Sequence, residues 1–258
     1  MGAVHDEPTT AARSLRLLSC NILAGGSVHS YRDYVTQSLK HMLPGRAKQA
    51  NLDSLARLIG DFDVVGLQEA DAGSLRSGFL NQTGYLAEAA SFPFWSYQSN
   101  RKIAQFAASC NGLLSRLEPT EVIDYPLPGR IPGRGALWAR FGSEVHHLVV
   151  VIAHLALGPK ARSSQFSFLA ELINKTPNIV LMGDLNCEVH SKELRILFNH
   201  TALIPPATTP ATFPSWQPYR AIDHILVSNN IAINKLWTLP HNVSDHLPLA
   251  ASIQIVSP

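Results

Sequence analysis

Ile179-Val180-Leu181-Met182-Gly183-Asp184-Leu185-Asn186-Cys187 is the stretch whose reading decides the fold. Four apolar residues running into a glycine read as a buried strand that ends at a tight turn. Asp184 and Asn186 stand two apart at that end, so strand geometry predicts that they share one face. A carboxylate and a carboxamide there suit metal-assisted phosphoryl chemistry: an anion for a water and an N–H donor for a phosphate oxygen. An Asx turn closing the strand is the competing reading. Other strand ends of the same kind decide between the two.

Several follow along the chain. Residues 15–23 form a buried strand with Asn21 near its end, ahead of Gly25 and Gly26. Residues 63–71 form another, ending in Gln68-Glu69; a Glu where a core strand emerges is costly unless paired or bound to a cation. His154 closes the apolar run of 144–157, which pairs as a hairpin with 135–141. Asp223 lies in the apolar frame of 221–228. Ser244-Asp245-His246 precedes the last strand, and Pro248 keeps that triplet at the sheet's rim. Amphipathic helices are expected over 50–62, where Leu52, Leu55, Leu58 and Ile59 share a face, and over 160–174. A helix is expected over 78–90, and Ser191 is expected to cap a short one.

Composition narrows the class. Hydrophobic content of 46% with 16% charged residues is that of a well-buried globular protein. A net charge of +2 excludes a protein that grips nucleic acid by charge alone. Cys20, Cys110 and Cys187 lie far apart, without a zinc or disulfide pattern. No apolar run reaches membrane-spanning length, and no signal peptide is evident. The expectation is a cytoplasmic protein with a disordered leader over 1–14 and a single domain over 15–258. No repeat period and no Gly/Ser-rich linker divides the chain, which favours one domain.

Asn21, Glu69, His154, Asp184, Asn186, Asp223, Asp245 and His246 all fall at or near apolar strand ends. Buried strands have little use for so many titratable groups. Glu69 with Asn21 and Asp245 offers hard oxygen donors suited to Mg²⁺. The motifs L-L-S-C-N-I-L (17–23), V-V-G-L-Q-E-A-D (64–71), A-H-L (153–155), L-M-G-D-L-N (181–186), A-I-D-H-I-L-V-S (221–228) and S-D-H-L-P-L (244–249) resemble the endonuclease/exonuclease/phosphatase superfamily of DNase I-like hydrolases. They run in that family's order over nearly the whole chain.

The resemblance implies an α/β protein, a four-layer α/β sandwich of two packed mixed β-sheets flanked by helices. It implies a metal-dependent phosphoesterase, most readily a phosphodiesterase, that hydrolyses a P–O bond by in-line attack of water. Asn21 and Glu69 resemble the metal-site pair, with Asp245 beside them. Asp184 resembles the water-activating residue and Asn186 its phosphate-contacting companion. Asp223 resembles the carboxylate that orients a catalytic histidine, here His246. His154 resembles the branch that includes DNase I, sphingomyelinases and inositol-phosphate phosphatases. The implied cofactor is Mg²⁺, with Mn²⁺ an alternative.

The substrate stays open between nucleic acid and a phospholipid, sphingomyelin or inositol-phosphate type of phosphoester; the second would bring peripheral membrane contact. Candidate substrate contacts are Arg130 and Arg134 on a Pro/Gly loop, and Trp216, Tyr219 and Arg220 before the Asp223 strand. The aromatic run at 92–95 reads either as a stacking wall or as core. A non-catalytic binding module on the same fold is the alternative function.

Overall fold

The computed structural model describes residues 14–26, 30, 45–103, 106–130, 133–143, 147–240 and 244–256, with backbone alone at 101–103. The leader expected at the N-terminus falls on residues 1–13, outside the described residues apart from Ser14, whose hydroxyl lies 2.6 Å from that of Ser252. Two six-stranded mixed sheets pack face to face. The first runs β11(Ile231–Thr238), β12(Leu249–Ile255), β1(Leu15–Asn21), β2(Val64–Asp71), β4(Ala107–Ser115) and β3(Phe94–Ile103). The second runs β5(Pro119–Pro126), β6(Gly135–Gly142), β7(His147–His154), β8(Ile179–Asp184), β10(Asp223–Ser228) and β9(Leu203–Ile204). Helices α1(Arg46–Ile59) and α2(Gln82–Ala89) cover the first sheet; α3(Pro159–Ile173) and α4(Arg195–His200) cover the second. This is the four-layer α/β sandwich expected.

The layers follow from alternation along the strands. Leu17, Val64 and Leu113 of the first sheet meet Leu137, Val150, Ile152, Val180 and Met182 of the second in a central apolar slab. Val65 and Leu67 face α1 and α2 instead, while Val149, Val151 and Leu181 face α3. At Gly66 the sheets come so close that a Cβ would stand 2.8 Å from Met182 Cε and 2.9 Å from Ile152 Cγ1. Gly183 has φ 147°, and a Cβ there would lie 1.8 Å from the Ala153 carbonyl oxygen on the parallel neighbour β7. The residue before Asp184 must therefore be glycine.

Strand direction gathers the polar strand ends at one edge. β1 and β2 run parallel with Asn21 opposite Gln68, and β7 and β8 run parallel with His154 opposite Asp184. β10 returns antiparallel with Asp223 opposite Asp184.

Some expected elements differ in extent. Of the helix expected over 78–90, α2 takes only Gln82–Ala89, because Gly78 at φ 67° and Phe79 at φ 64° break the chain after a 3-10 turn at Leu75–Ser77. Ser191 Oγ accepts the Leu194 N–H at 3.2 Å in the turn before α4 rather than capping the helix itself. β3 and β5 are edge strands that the polarity pattern did not show. Phe92 is buried, while Trp95 lies at the start of β3 over Gly84 of α2. That strand start pairs with Ser115, which is itself opposite Val64 at the beginning of β2. The aromatic run therefore sits at the end of the sandwich away from Asn21 and Glu69, and the stacking-wall reading is corrected to core and edge packing.

Gly66→Val should force Met182 and Ile152 apart and lower stability by ~1–3 kcal/mol. Urea unfolding followed by circular dichroism measures this, and an unchanged midpoint would refute the close contact between the sheets.

Candidate active site

Asp184 is the centre of the cluster. Its Oδ1 accepts the Asn186 backbone N–H at 3.0 Å, so the Asx turn is present. Its Oδ2 accepts from Asn21 Nδ2 at 3.2 Å and lies 3.4 Å from His154 Nε2 and 3.9 Å from His246 Nε2. Asn21 belongs to the first sheet and Asp184 to the second, so this carboxylate joins them. Burial would raise its carboxyl; the charge of His246 and the hydrogen bond and charge of His154 outweigh burial and hold it well below the usual carboxylate range.

His246 is held from its other nitrogen. Nδ1 lies 2.8 Å from Asp223 Oδ2, and the same oxygen accepts the Thr212 hydroxyl at 2.5 Å. Burial alone would lower this imidazole, but Asp223 and then Asp184 outweigh it and the group is pushed up to about 10. The Phe213 ring packs against it, 5.0 Å between centroids. The Ser244 hydroxyl accepts the His246 N–H at 3.0 Å and donates to Asp245 Oδ1 at 3.1 Å. Ser215 ties the two loops together by donating its N–H to the Asp245 carbonyl and its hydroxyl to the Ser244 carbonyl.

Glu69 sits at an irregularity of β2 with φ 57°, its Oε1 3.8 Å from His154 Nε2. Asp184 and Glu69 are thus the carboxylates that face His154, a partnership the sequence did not reveal. Burial raises the Asp245 carboxyl, His246 offsets part of this, and the nearby Glu69 carboxylate raises it further. Asn21 Oδ1 accepts the Leu23 N–H at 3.2 Å and keeps a second lone pair. Asn186, at φ 55°, donates its side-chain N–H to the Leu155 carbonyl at 2.9 Å, which fixes the chain just past His154.

The expected substrate contacts fall on the segments that lead into β6 and β10. Arg130 is exposed and Arg134 half-buried on the loop into β6, whose first residue, Gly135, pairs with His154. Arg220 lies 6.0 Å from the Phe213 ring centroid, while Trp216 is half-buried and Tyr219 is exposed. Thr212, Phe213 and Ser244 were missed; the first two sit in the Pro/Thr-rich segment 203–218, whose composition hides any pattern. His224 is buried against the Cys187 carbonyl at 2.7 Å, apart from the cluster.

Among the described residues, Asp184, Asp223 and His246 form a group whose ligand atoms lie within 4.8 Å of one another, an acidic site able to hold a metal ion. The sequence model of the Endonuclease/Exonuclease/phosphatase family matches residues 18–246. The chain belongs to this family, whose members are in general phosphoester hydrolases that use a divalent metal. Among solved structures it resembles an endonuclease/exonuclease/phosphatase family protein from Bacteroides thetaiotaomicron, with TM-score 0.70 and 17% identity over 95% of this chain and 98% of that one. It also resembles the mannosyl-6-phosphatase Bt3783 of the same organism, with TM-score 0.66 and 19% identity over 93% and 99%. A humanized D. rerio TDP2 aligns with TM-score 0.66 and 14% identity over 93% and 99%. None of the curated proteins matches. At these identities the structures share the fold.

Thr212→Val leaves the buried Asp223 one donor short and should cost ~1–3 kcal/mol, with Thr212→Ser close to the parent. Thermal unfolding of both variants checks this; equal losses would show that the hydroxyl is not the stabilising group.

Proposed function

We propose that the protein is a divalent-metal-dependent phosphoesterase, most readily a phosphodiesterase, acting as one domain from Leu15 onward. The observation that carries this reading is the convergence on Asp184 Oδ2 of Asn21 and two histidines, one of them seated on Asp223. Asp184 then orients the attacking water and takes its proton, its carboxylate fixed from both sheets. Protonated His246, oriented by Asp223, donates to a phosphate oxygen as charge builds on five-coordinate phosphorus. His154 is a second imidazole donor beside Asp184, and Asn186 supplies a further N–H.

Two sets of residues fit a metal ion. Glu69, Asn21 and Asp245 are all-oxygen donors suited to Mg²⁺ or Mn²⁺, and the proximity of Glu69 to Asp245 creates a need for positive charge. Asp184, Asp223 and His246 are the tighter group, but His246 Nδ1 and Asp223 already satisfy each other. The oxygen set is the better host, and a bound divalent ion there would polarise the phosphoryl oxygen.

Arg130, Arg134, Trp216, Tyr219 and Arg220 are proposed to meet the remainder of the substrate. Nucleic acid and a lipid head-group phosphoester both remain compatible with this edge. A non-catalytic binder is disfavoured, since recognition alone has no use for a buried Asp–His–Asp arrangement.

Bis-p-nitrophenyl phosphate hydrolysis with Mg²⁺ or Mn²⁺ should be abolished by EDTA. Asp184→Ala or His246→Ala should lower turnover by about 10³-fold or more while thermal unfolding remains cooperative. Near-parental turnover in either variant would refute the assignment.

A further inference from the structure

Around His154 the two sheets are joined by carboxamides rather than by hydrocarbon. Leu113 and Ile152 both lie in the central slab, so Asn111 and His154, two residues away on the same strands, face the space between the sheets. Asn111 is fully buried. Its Nδ2 donates to the Gly135 carbonyl at 2.9 Å, with Gln98 Oε1 at 3.3 Å and the Ile152 carbonyl at 3.5 Å. Gly135 is the residue of β6 opposite His154, and Ile152 precedes His154 by two on β7. Gln98 of β3 extends the bridge by donating its Nε2 to the Tyr125 carbonyl of β5 at 3.0 Å. Two side chains of the first sheet thus hold the backbone of three strands of the second. Gly135 makes this approach possible, since a Cβ there would stand 2.3 Å from both Gln98 Oε1 and Asn100 Oδ1.

Stability does not explain the bridge. The three acceptors around Nδ2 fix which way the Asn111 amide points, because the flipped amide would set its oxygen against three others. That orientation leaves Oδ1 buried, and no donor among the described residues meets it. An unpaired buried acceptor costs stability, and a leucine of nearly the same shape would occupy the place without that cost. A buried polar group kept at such a cost calls for another use.

His154 supplies one. Its Nε2 lies 3.4 Å from Asp184 and 3.8 Å from Glu69, both longer than the usual N–H···O distance. Contacts of that length do not fix a ring, so its place depends on the backbone that carries it.

We propose that Asn111 is a positioning residue for His154: it clamps Gly135 and Ile152 from the opposite sheet and so sets the distance of the imidazole from Asp184 and Glu69. The catalytic consequence rests on the phosphoesterase reading, whereas the clamp does not.

Asn111→Leu removes the donor and keeps the volume. It should lower kcat for bis-p-nitrophenyl phosphate by about 10-fold and leave KM within about 2-fold, because Asn111 meets no substrate. Its unfolding temperature should equal or exceed the parent's, since the unpaired Oδ1 leaves with the side chain. In a His154→Ala background the same substitution should leave kcat unchanged. Amide hydrogen exchange, which needs no turnover, should run about 10-fold faster over 150–154 in Asn111→Leu than in the parent. Asn111→Ala, smaller and free of steric conflict, should show the same loss of kcat and the same dependence on His154, and it carries the test where leucine does not fit. Parental kcat in both variants, a full further loss in the His154→Ala background, or unchanged exchange over 150–154 overturns the proposal. A lower unfolding temperature in Asn111→Leu marks a structural brace and overturns it too. A parent chain without turnover sinks the phosphoesterase reading instead, and the exchange comparison alone then decides the clamp.

Discussion

A buried carboxylate between two sheets is the constraint on which the site depends. Asp184 is almost wholly removed from solvent, and an ionised carboxylate in that position is tolerated only with donors and opposite charge around it. No one strand can supply them. Asn21 reaches it from the first sheet, His154 from the parallel neighbour β7, and His246 from the turn ahead of β12. Each partner fixes the offset of one element against another, so satisfying the charge also sets the alignment of the sandwich at this end. The His246–Asp223 pair is a second bridge of the same kind, joining the turn before a first-sheet strand to a second-sheet strand.

Packing at the middle of the sheets makes these bridges possible. Gly66 lets β2 approach Met182 and Ile152 closely, and Gly183 lets β8 lie against the Ala153 carbonyl immediately before Asp184. A side chain at either glycine would change the spacing just where the polar ends must meet. The central slab of Val, Ile and Leu supplies the driving force, and the glycines set the distance over which it acts.

Much of this was legible in the sequence. Apolar runs that end in Asn, Glu, His or Asp announce themselves, because burial of such groups demands a reason; this revealed the sandwich's central strands and singled out the eight residues proposed for the site. The edge strands β3 and β5 were not legible. β5, P-T-E-V-I-D-Y-P, alternates imperfectly and has no buried residue, and β3 ends in S-N-R-K-I. The start of α1 was hidden because its first turn is polar and its N-cap is Gly45, which offers no side-chain oxygen. Thr212 and Asp71 escaped for a different reason. Their importance lies in whom they touch: Thr212 reaches Asp223 across a turn, and Asp71 collects donors from two segments. Contacts of that kind leave no periodicity to read.

Glu69 shows how the fold departs from strand alternation to place a functional group. Leu67 and Ala70 both pack in the apolar layer beneath α1 and α2, although three positions separate them. Regular alternation would put Leu67 and Glu69 on the helix side together and turn Ala70 toward the second sheet. A carboxylate in that apolar layer would be without a partner. The register between β2 and β4 slips between Leu67 and Ala70, and Glu69 takes φ 57° there. The added residue leaves Ala70 in the core and frees Glu69 to reach toward His154 and Asp245. A β-bulge in a central strand sacrifices ladder hydrogen bonds and places a non-glycine residue in the left-handed region. Here that cost accompanies a geometry in which β2 delivers Glu69 to the edge of the sheet and still closes its core.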